Sequence, residues 1–263
     1  NKMIGLFLGD TDFSEIVLNK IIKLKKKYFI IDFSKNNKFK KDINSNRISI
    51  GKFGKIINLI KEKKSKKVLF AGKIAKPKFS TLRLDLKGIY YMPSVIKAAK
   101  SGDAAIIKAI IKILEKEKIK VISSNFFNPE LSLKAKNYTN LKPNSKEIKS
   151  IKKGVLYFNQ LNSLDHVQAL IIKDEKVIAT EGNQGTKKML SKLKKGSAGI
   201  LIKLPKKKQD LRMDLPTIGL NTLKDCKKYG LKGIVLKSKK NIFLDKEKCI
   251  SFANKNKIFI KII

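Results

Sequence analysis

Met3-Ile-Gly-Leu-Phe-Leu-Gly-Asp-Thr-Asp-Phe-Ser14 decides the fold class: an apolar run, a polar turn bearing a glycine, and the start of an amphipathic stretch on Phe13, Ile16, Val17, Ile21 and Leu24. The apolar run reads as a buried strand, and the stripe that follows it as a helix covering that strand. Tyr28 to Phe33 gives a second strand, Phe53, Ile56, Ile57 and Ile60 a second helix, and Lys67 to Ala71 a strand ending at Gly72. A stripe on Ile107, Ile110, Ile111 and Leu114 and a strand at Lys120 to Ser123 continue the pattern. Strands alternating with helices predict a parallel sheet with crossover helices.

From Leu133 to Ser145 the periodicity stops, and lysine and asparagine dominate. This predicts a linker over 133–145 between one domain at 1–132 and another at 146–263. Ser145 can cap a helix running to about Asn162. Val167 to Ile172 and Lys176 to Thr180, joined by Lys173-Asp-Glu175, read as a hairpin. A short helix on Met189 and Leu193, strands at Gly199 to Leu204, near Ile234 and near Phe243, a helix at Lys246 to Asn254 and a strand at Ile258 to Ile262 follow. The predicted class is α/β, with a parallel-sheet N-terminal domain and a mixed C-terminal domain.

The charge is extreme. Against 21 acidic residues stand 61 basic ones, a net charge of +40, and all but Arg47, Arg83 and Arg212 are lysine. Arginine is the better residue for bidentate phosphate and base-edge contacts, and the lysines are spread over every segment. The composition therefore argues against a dedicated nucleic-acid reader, and few aromatic residues interleave with the basic ones as a stacking platform requires. A basic surface still draws in phosphorylated substrates and anionic headgroups. His166 is the sole histidine, which excludes a zinc site built on several histidines. Cys226 and Cys249 form no C-x-x-C pair and suggest a reducing compartment. No apolar run approaches the roughly 18 residues that span a bilayer. Met3 to Leu8 reads as a strand rather than a signal peptide, so the expectation is a soluble or surface-associated protein.

Four segments have the residue types that chemistry needs. Gly9 and Asp10 stand in the first strand-to-helix turn, where backbone N–H groups and a helix dipole favour anions, although Asp10 and Asp12 oppose a phosphate placed close by. Gly72 and Lys73 follow a later strand of the same sheet, at the end where open α/β folds bind ligands. In Gln209-Asp-Leu-Arg-Met-Asp-Leu-Pro-Thr-Ile-Gly219, an extended backbone puts Asp210, Arg212 and Asp214 on one face and Leu211, Met213 and Leu215 on the other. That row is either a mutually satisfied ladder of surface charges or a site for Mg²⁺ and phosphate, which carboxylates and arginine suit respectively. Glu181-Gly-Asn-Gln-Gly-Thr186 is a polar loop in which Glu181 could add a metal oxygen and Thr186 could cap the following helix or meet phosphate. Ile89 to Ile96, with Tyr90, Tyr91 and Met92, is an apolar stretch that reads as core or as a surface for acyl chains.

Taken together, these segments resemble the LpxI family in order over nearly the whole chain. The most specific match is Gln209 to Gly219, which looks like the family's Q-D-x-R-x-D-x-P-T-I-G. Gly51-Lys-Phe-Gly54, Ala71-Gly-Lys73, Leu82-Arg-Leu-Asp85, Gly102-Asp-Ala104, Leu164-Asp165 with Gln168, and Gly185-Thr186 support it. The resemblance implies a Rossmann-like N-terminal domain and a C-terminal catalytic α/β domain. It also implies Mg²⁺-dependent hydrolysis of UDP-2,3-diacylglucosamine to UMP and 2,3-diacylglucosamine 1-phosphate (lipid X) in lipid A biosynthesis. The setting it implies is the cytoplasm, peripheral to the inner membrane, with a homodimer as the assembly and no nucleic-acid partner. On this reading Asp214, Arg212 and Asp210 are catalytic; Gly9, Asp10, Gly72, Lys73, Gln184, Gly185, Thr186, Gln209 and Thr217 bind substrate; and Asp214, Asp210 and Glu181 hold the metal. The chain departs from the family at Gln184 and Lys187, commonly acidic, at Asp10-Thr-Asp12, commonly richer in glycine, and at Val167, commonly glycine. These departures leave open a nucleotide-sugar-binding or lipid-binding module without turnover.

Overall fold

A computed structural model describes residues 3–101, 103–161, 167–182, 184–194, 196–206, 210–213 and 215–263. The chain divides into two units, Asn1–Asn128 with Arg212 and Met213, and Pro129–Leu211 with Leu215–Ile263.

The first unit is a five-stranded parallel sheet. β1 (Ile4–Leu8), β2 (Tyr28–Asp32), β3 (Ser45–Asn46), β4 (Lys67–Ala71) and β5 (Lys120–Ile122) lie in the order β3-β2-β1-β4-β5. Every residue of β1 is buried, as befits a central strand covered on both faces. α1 (Asp12–Lys23) buries Phe13, Val17, Leu18 and Ile21. Thr11 holds its cap position, so Asp12 serves in the first helical turn beside Glu15 rather than as the cap. On the sheet face formed by Phe7, Phe29, Ile31, Val68 and Phe70 lie α2 (Phe53–Glu62), α3 (Leu86–Ala99) and α4 (Asp103–Lys116).

Asp85 organises that helical layer. Its carboxylate caps α3 by accepting from Gly88 N–H (2.8 Å) and also accepts from Gly54 N–H (3.0 Å) and Lys55 N–H (3.0 Å) in the first turn of α2. One anion thus satisfies the orphan donors of two helix starts. Gly51 to Gly54 and Leu82 to Asp85, separate in sequence, meet here. Burial pushes the Asp85 carboxyl upward, but the Gly54, Gly88 and Lys55 N–H groups and the charge of Lys52 outweigh it and hold it below the usual carboxylate range. Glu117, just past α4, gathers Lys61 (2.8 Å), Lys87 and the Tyr91 hydroxyl (2.9 Å). Burial opposes its charge too, yet those three donors bring its carboxyl down to about 2.

The second unit is a three-layer α/β/α sandwich. Its sheet runs β6 (Lys136–Asn137), β13 (Phe259–Ile262), β11 (Gly233–Leu236), β9 (Ile200–Lys203), β7 (Ala169–Lys173) and β8 (Lys176–Thr180). The inner three pair parallel, whereas β6, β7 and β8 pair antiparallel. α5 (Ser145–Gln160) covers one face through Ile151 and Phe158. On the other face α6 (Gly185–Ser191), α7 (Leu220–Lys228) and α8 (Lys246–Lys255) bring Met189, Leu190, Leu223, Cys226, Cys249 and Ala253. β10 (Thr217–Ile218) and β12 (Ile242–Phe243) form a separate parallel pair.

Two local readings change. The cap of α5 is Asn144, reciprocally bonded with Glu147 in a capping box, and Ser145 is the first helical residue. The segment 133–145, expected as a linker, adds β6 to the edge of the second sheet and is fastened by the buried Asn241. That amide accepts from Leu133 N–H (3.0 Å) and donates to Leu133 O (3.1 Å) and Lys237 O (2.7 Å). Main-chain and amide bonds of this kind need no apolar periodicity, so hydrophobic patterning does not reveal them.

Removing the Asp85 carboxylate leaves two helix starts uncapped, so Asp85→Ala is expected to lower stability by about 2 kcal/mol, measured by urea unfolding at neutral pH. Glu117 contributes stability at neutral pH that falls away as pH drops from the ordinary glutamate range toward about 2. In acid titrations followed by circular dichroism, Glu117→Gln should flatten the pH dependence in that window; an unchanged profile would show that the cluster does not couple to folding.

Candidate active site

The strand order reverses direction beside β1, and ligands of open α/β sheets bind outside the carboxyl ends of strands at such a point. Here the turn after β1 and the turn after β4 are locked together. Gly9 N–H donates to Ala71 O (2.9 Å) and Asp10 N–H to Lys73 O (3.0 Å). The Ser14 hydroxyl, at the start of α1, donates to Gly9 O (2.9 Å) and Ala71 O (2.8 Å). A Cβ on Gly9 would collide with the Lys73 carbonyl, and Gly72 adopts φ +82 with Ser14 Oγ where its own Cβ would stand. Four residues expected at a binding site, Gly9, Asp10, Gly72 and Lys73, are therefore neighbours. Lys73 is exposed, and the Asp10 carboxylate accepts from Lys35 N–H (2.8 Å).

At the end of β2, the position where dinucleotide-binding sheets keep an acid for ribose, stands Asp32. It is fully buried and accepts from Ser34 N–H (2.8 Å), the Ser34 hydroxyl (2.6 Å) and Phe39 N–H (3.1 Å), with Arg47 at 3.4 Å. Its oxygens tie the following loop together and are not offered to a ribose.

The turn after β5 meets part of the segment 209–219. Ser124 N–H donates to Arg212 O (2.8 Å), Arg212 Nη1 pairs with Glu115 Oε1 of α4 (2.7 Å), and Met213 packs on the core of the first unit. Arg212 thus stands near the carboxyl edge of the sheet, in the same unit as Gly9 and Lys73. The extended backbone that the one-faced row presumes is absent at Leu211–Met213. Leu211–Met213 make a turn, and among the described residues strand pairing in this segment is confined to Thr217 and Ile218. Alternation presumes one continuous sheet face, whereas Arg212 and Met213 belong with one unit and Leu211 and Leu215 with the other. Asp210 is half-buried, and the Thr217 hydroxyl donates to Leu215 O (3.0 Å). Gln209 and Asp214 lie outside the described residues, as do Gly102, Leu164, Asp165 and His166.

Glu181 is buried, and both of its oxygens are in use. One accepts from the Thr186 hydroxyl (2.6 Å) and the other from Gln168 N–H (3.0 Å). Such a carboxylate clamps the connection from β8 to α6. Gln184 and Lys187 are exposed. Gln184 and Gly185 line a cleft of about 470 Å³ with Ile178, Thr180, Lys188 and Lys192. Among the described residues no three histidine, cysteine, aspartate or glutamate side chains converge as a metal site. Both cysteines are buried, and burial raises their thiols, Cys249 to about 11, so neither is a nucleophile. Ser124 was not singled out from sequence, although Ser123-Ser-Asn125 is a polar run directly after a parallel strand, where sites of this fold gather. Its hydroxyl and the Asn128 side-chain oxygen Oδ1 are buried without a hydrogen-bond partner among the described residues.

With the carboxyl edge in view, comparison with known proteins is direct. The family model described as the LpxI N-terminal domain matches residues 3–131, and that of the LpxI C-terminal domain matches residues 134–261. The chain belongs to the LpxI family. A curated relative from Caulobacter vibrioides, named UDP-2,3-diacylglucosamine pyrophosphatase LpxI, is 30% identical over 223 residues, 81% of this chain and 80% of the relative. The family boundary between 131 and 134 falls close to the change of unit at Pro129. Among the described residues no helix is long and apolar enough to cross a membrane.

Close approach at Gly9 is the test of the locked edge. Gly9→Ala is expected to lower stability by about 2–4 kcal/mol, read by thermal and urea unfolding; a change below roughly 0.5 kcal/mol, the size typical of neutral surface changes, would mean the two turns can separate freely.

Proposed function

We propose that this chain hydrolyses the pyrophosphate of UDP-2,3-diacylglucosamine to UMP and 2,3-diacylglucosamine 1-phosphate, with Mg²⁺, as a homodimer at the cytoplasmic face of the inner membrane. The observation that carries this reading is that both LpxI domain models match in order and nearly end to end, with the signature segment inside the second. The name of the Caulobacter vibrioides relative supplies the substrate and the bond.

The chemistry suits the residues. Hydrolysis breaks one P–O bond of the bridge, the water oxygen stays on one phosphate, and a proton leaves to solvent. A loose phosphoryl transition state needs orientation and charge stabilisation more than a strong base. Asp214 is the carboxylate proposed to orient the water, and Arg212, its guanidinium steered by Glu115, the cation proposed to meet the phosphoryl oxygens. Gly9, Asp10, Gly72 and Lys73 are the residues proposed to bind substrate in the first unit, and Gln184, Gly185, Thr186, Gln209 and Thr217 those proposed in the second. Bound Mg²⁺ would neutralise pyrophosphate charge. Asp214, Asp210 and Glu181 are the carboxylates proposed to hold it, Glu181 being the one that also accepts from Thr186 and Gln168.

Release of UMP from UDP-2,3-diacylglucosamine by the purified protein is the direct test, with EDTA expected to abolish it and Mg²⁺ to restore it. Asp214→Ala should slow release by roughly 10²–10⁴-fold, the range for removing a group that handles the attacking water, without changing the circular dichroism. Release near the wild-type rate would remove Asp214 from the mechanism. Substrate binding without any UMP from the unsubstituted protein would instead identify a binding module, consistent with Gln184 and Lys187 standing at commonly acidic positions.

A further inference from the structure

α3 is apolar on both sides. Gly88, Met92 and Val95 face the core, as a helix at the edge of a globular unit should arrange them. The opposite face carries Leu86, 87% exposed, Ile89, 60%, Tyr90, 74%, and Ile96, 40%, with Pro93 between them. On a 3.6-residue period these five side chains share one outward stripe. The stretch Ile89 to Ile96, read from sequence as core or as an acyl surface, is thus divided between the core and solvent. Contiguous exposed apolar surface of this kind marks an interaction site.

Charge selects the partner. Lys97 and Lys100 lie exposed on the same outward side at the end of the helix. Between residues 76 and 100 the chain carries six basic residues, Lys76, Lys78, Arg83, Lys87, Lys97 and Lys100, of which Lys87 is paired with Glu117, against one acid, Asp85, which is bound to backbone N–H groups. A second copy docking on this face would bring an equal positive charge against it. An anionic phospholipid surface complements both features, since its headgroups attract the lysines and its acyl boundary accepts the stripe. Tyr90, packed edge-on against Tyr91 with ring centroids 4.9 Å apart, is an amphipathic residue of the type found at such interfaces.

We propose that the outward face of α3, through Leu86, Ile89, Tyr90, Pro93 and Ile96, docks on an anionic phospholipid surface with Lys97 and Lys100 at the headgroups. The proposal rests on the lipid-bearing substrate of the preceding section for its purpose and on exposure and charge for its location. The sequence contains no tryptophan, so a single introduced indole reports without background. Tyr90→Trp emission should shift to the blue on vesicles of phosphatidylethanolamine with phosphatidylglycerol, and far less on phosphatidylcholine. Ile43→Trp, at an isoleucine 97% exposed elsewhere in the same unit, should not shift. The double variant Leu86→Gln, Ile89→Gln keeps every charge, and should weaken vesicle binding roughly tenfold while UMP release in detergent micelles stays at the level of the unsubstituted protein. An unshifted Tyr90→Trp emission, vesicle binding by the double variant within twofold, or a blue shift without vesicles that grows with protein concentration and doubles the mass would each overturn the proposal. Because vesicle binding is measured without substrate, its failure is distinguishable from failure of the pyrophosphatase reading.

Discussion

The Ser14 hydroxyl, bonded to the carbonyls of Gly9 and Ala71, holds two strand ends of the first sheet against each other, and much else is arranged around that contact. Adjacent parallel strands are joined by main-chain bonds along their length, but the turns leaving them ordinarily diverge. Here Gly9 and Gly72, the two positions where a side chain would block the approach, let backbone meet backbone. The turns that would receive an anionic ligand are thereby rigid before any ligand arrives, which reduces the ordering cost of binding. The Gly9 and Asp10 N–H groups are consumed in making this junction. The junction therefore does not offer these two N–H groups as the cradle of free backbone donors that a glycine-rich loop provides.

The acidic residues sort by burial. Asp32, Asp85, Glu117 and Glu181 are each enclosed by donors and act as internal ties: Asp32 on its loop, Asp85 on two helix starts, Glu117 on three side chains of the helical layer, Glu181 on the β8–α6 connection. In a chain with a net charge of +40, a carboxylate is never far from a cation, so its charge alone says little about function. What marks these four as internal ties is that donors within the fold already hold them.

The same partition applies to apolar side chains. Phe7, Val68 and Phe70 of the sheet and the inward faces of α2 and α4 fill one continuous core. Those on the outward face of α3 stand exposed among the described residues and keep an apolar residue's cost of hydration. Lysines lie beside that stripe.

The sequence by itself determined the parallel and mixed sheets, because apolar period and strand length are local properties and burial on both faces of β1 needs only a continuous apolar run. It also determined which segment to suspect, since Gln209 to Gly219 combines carboxylates, arginine and a proline stop within eleven residues. Only the tertiary structure decided that Leu211–Met213 turns instead of extending, because Arg212 is drawn to Glu115 and Ser124, about ninety positions earlier, and no periodicity records so distant a partner. Glu181 as clamp, Asp85 as double cap and the 133–145 segment as sheet edge were hidden for the same reason. Each is made by hydrogen bonds, five positions apart at Glu181 with Thr186 and 108 at Asn241 with Leu133, and hydrogen-bonding capacity, unlike hydrophobic spacing, does not show in sequence where it will be spent.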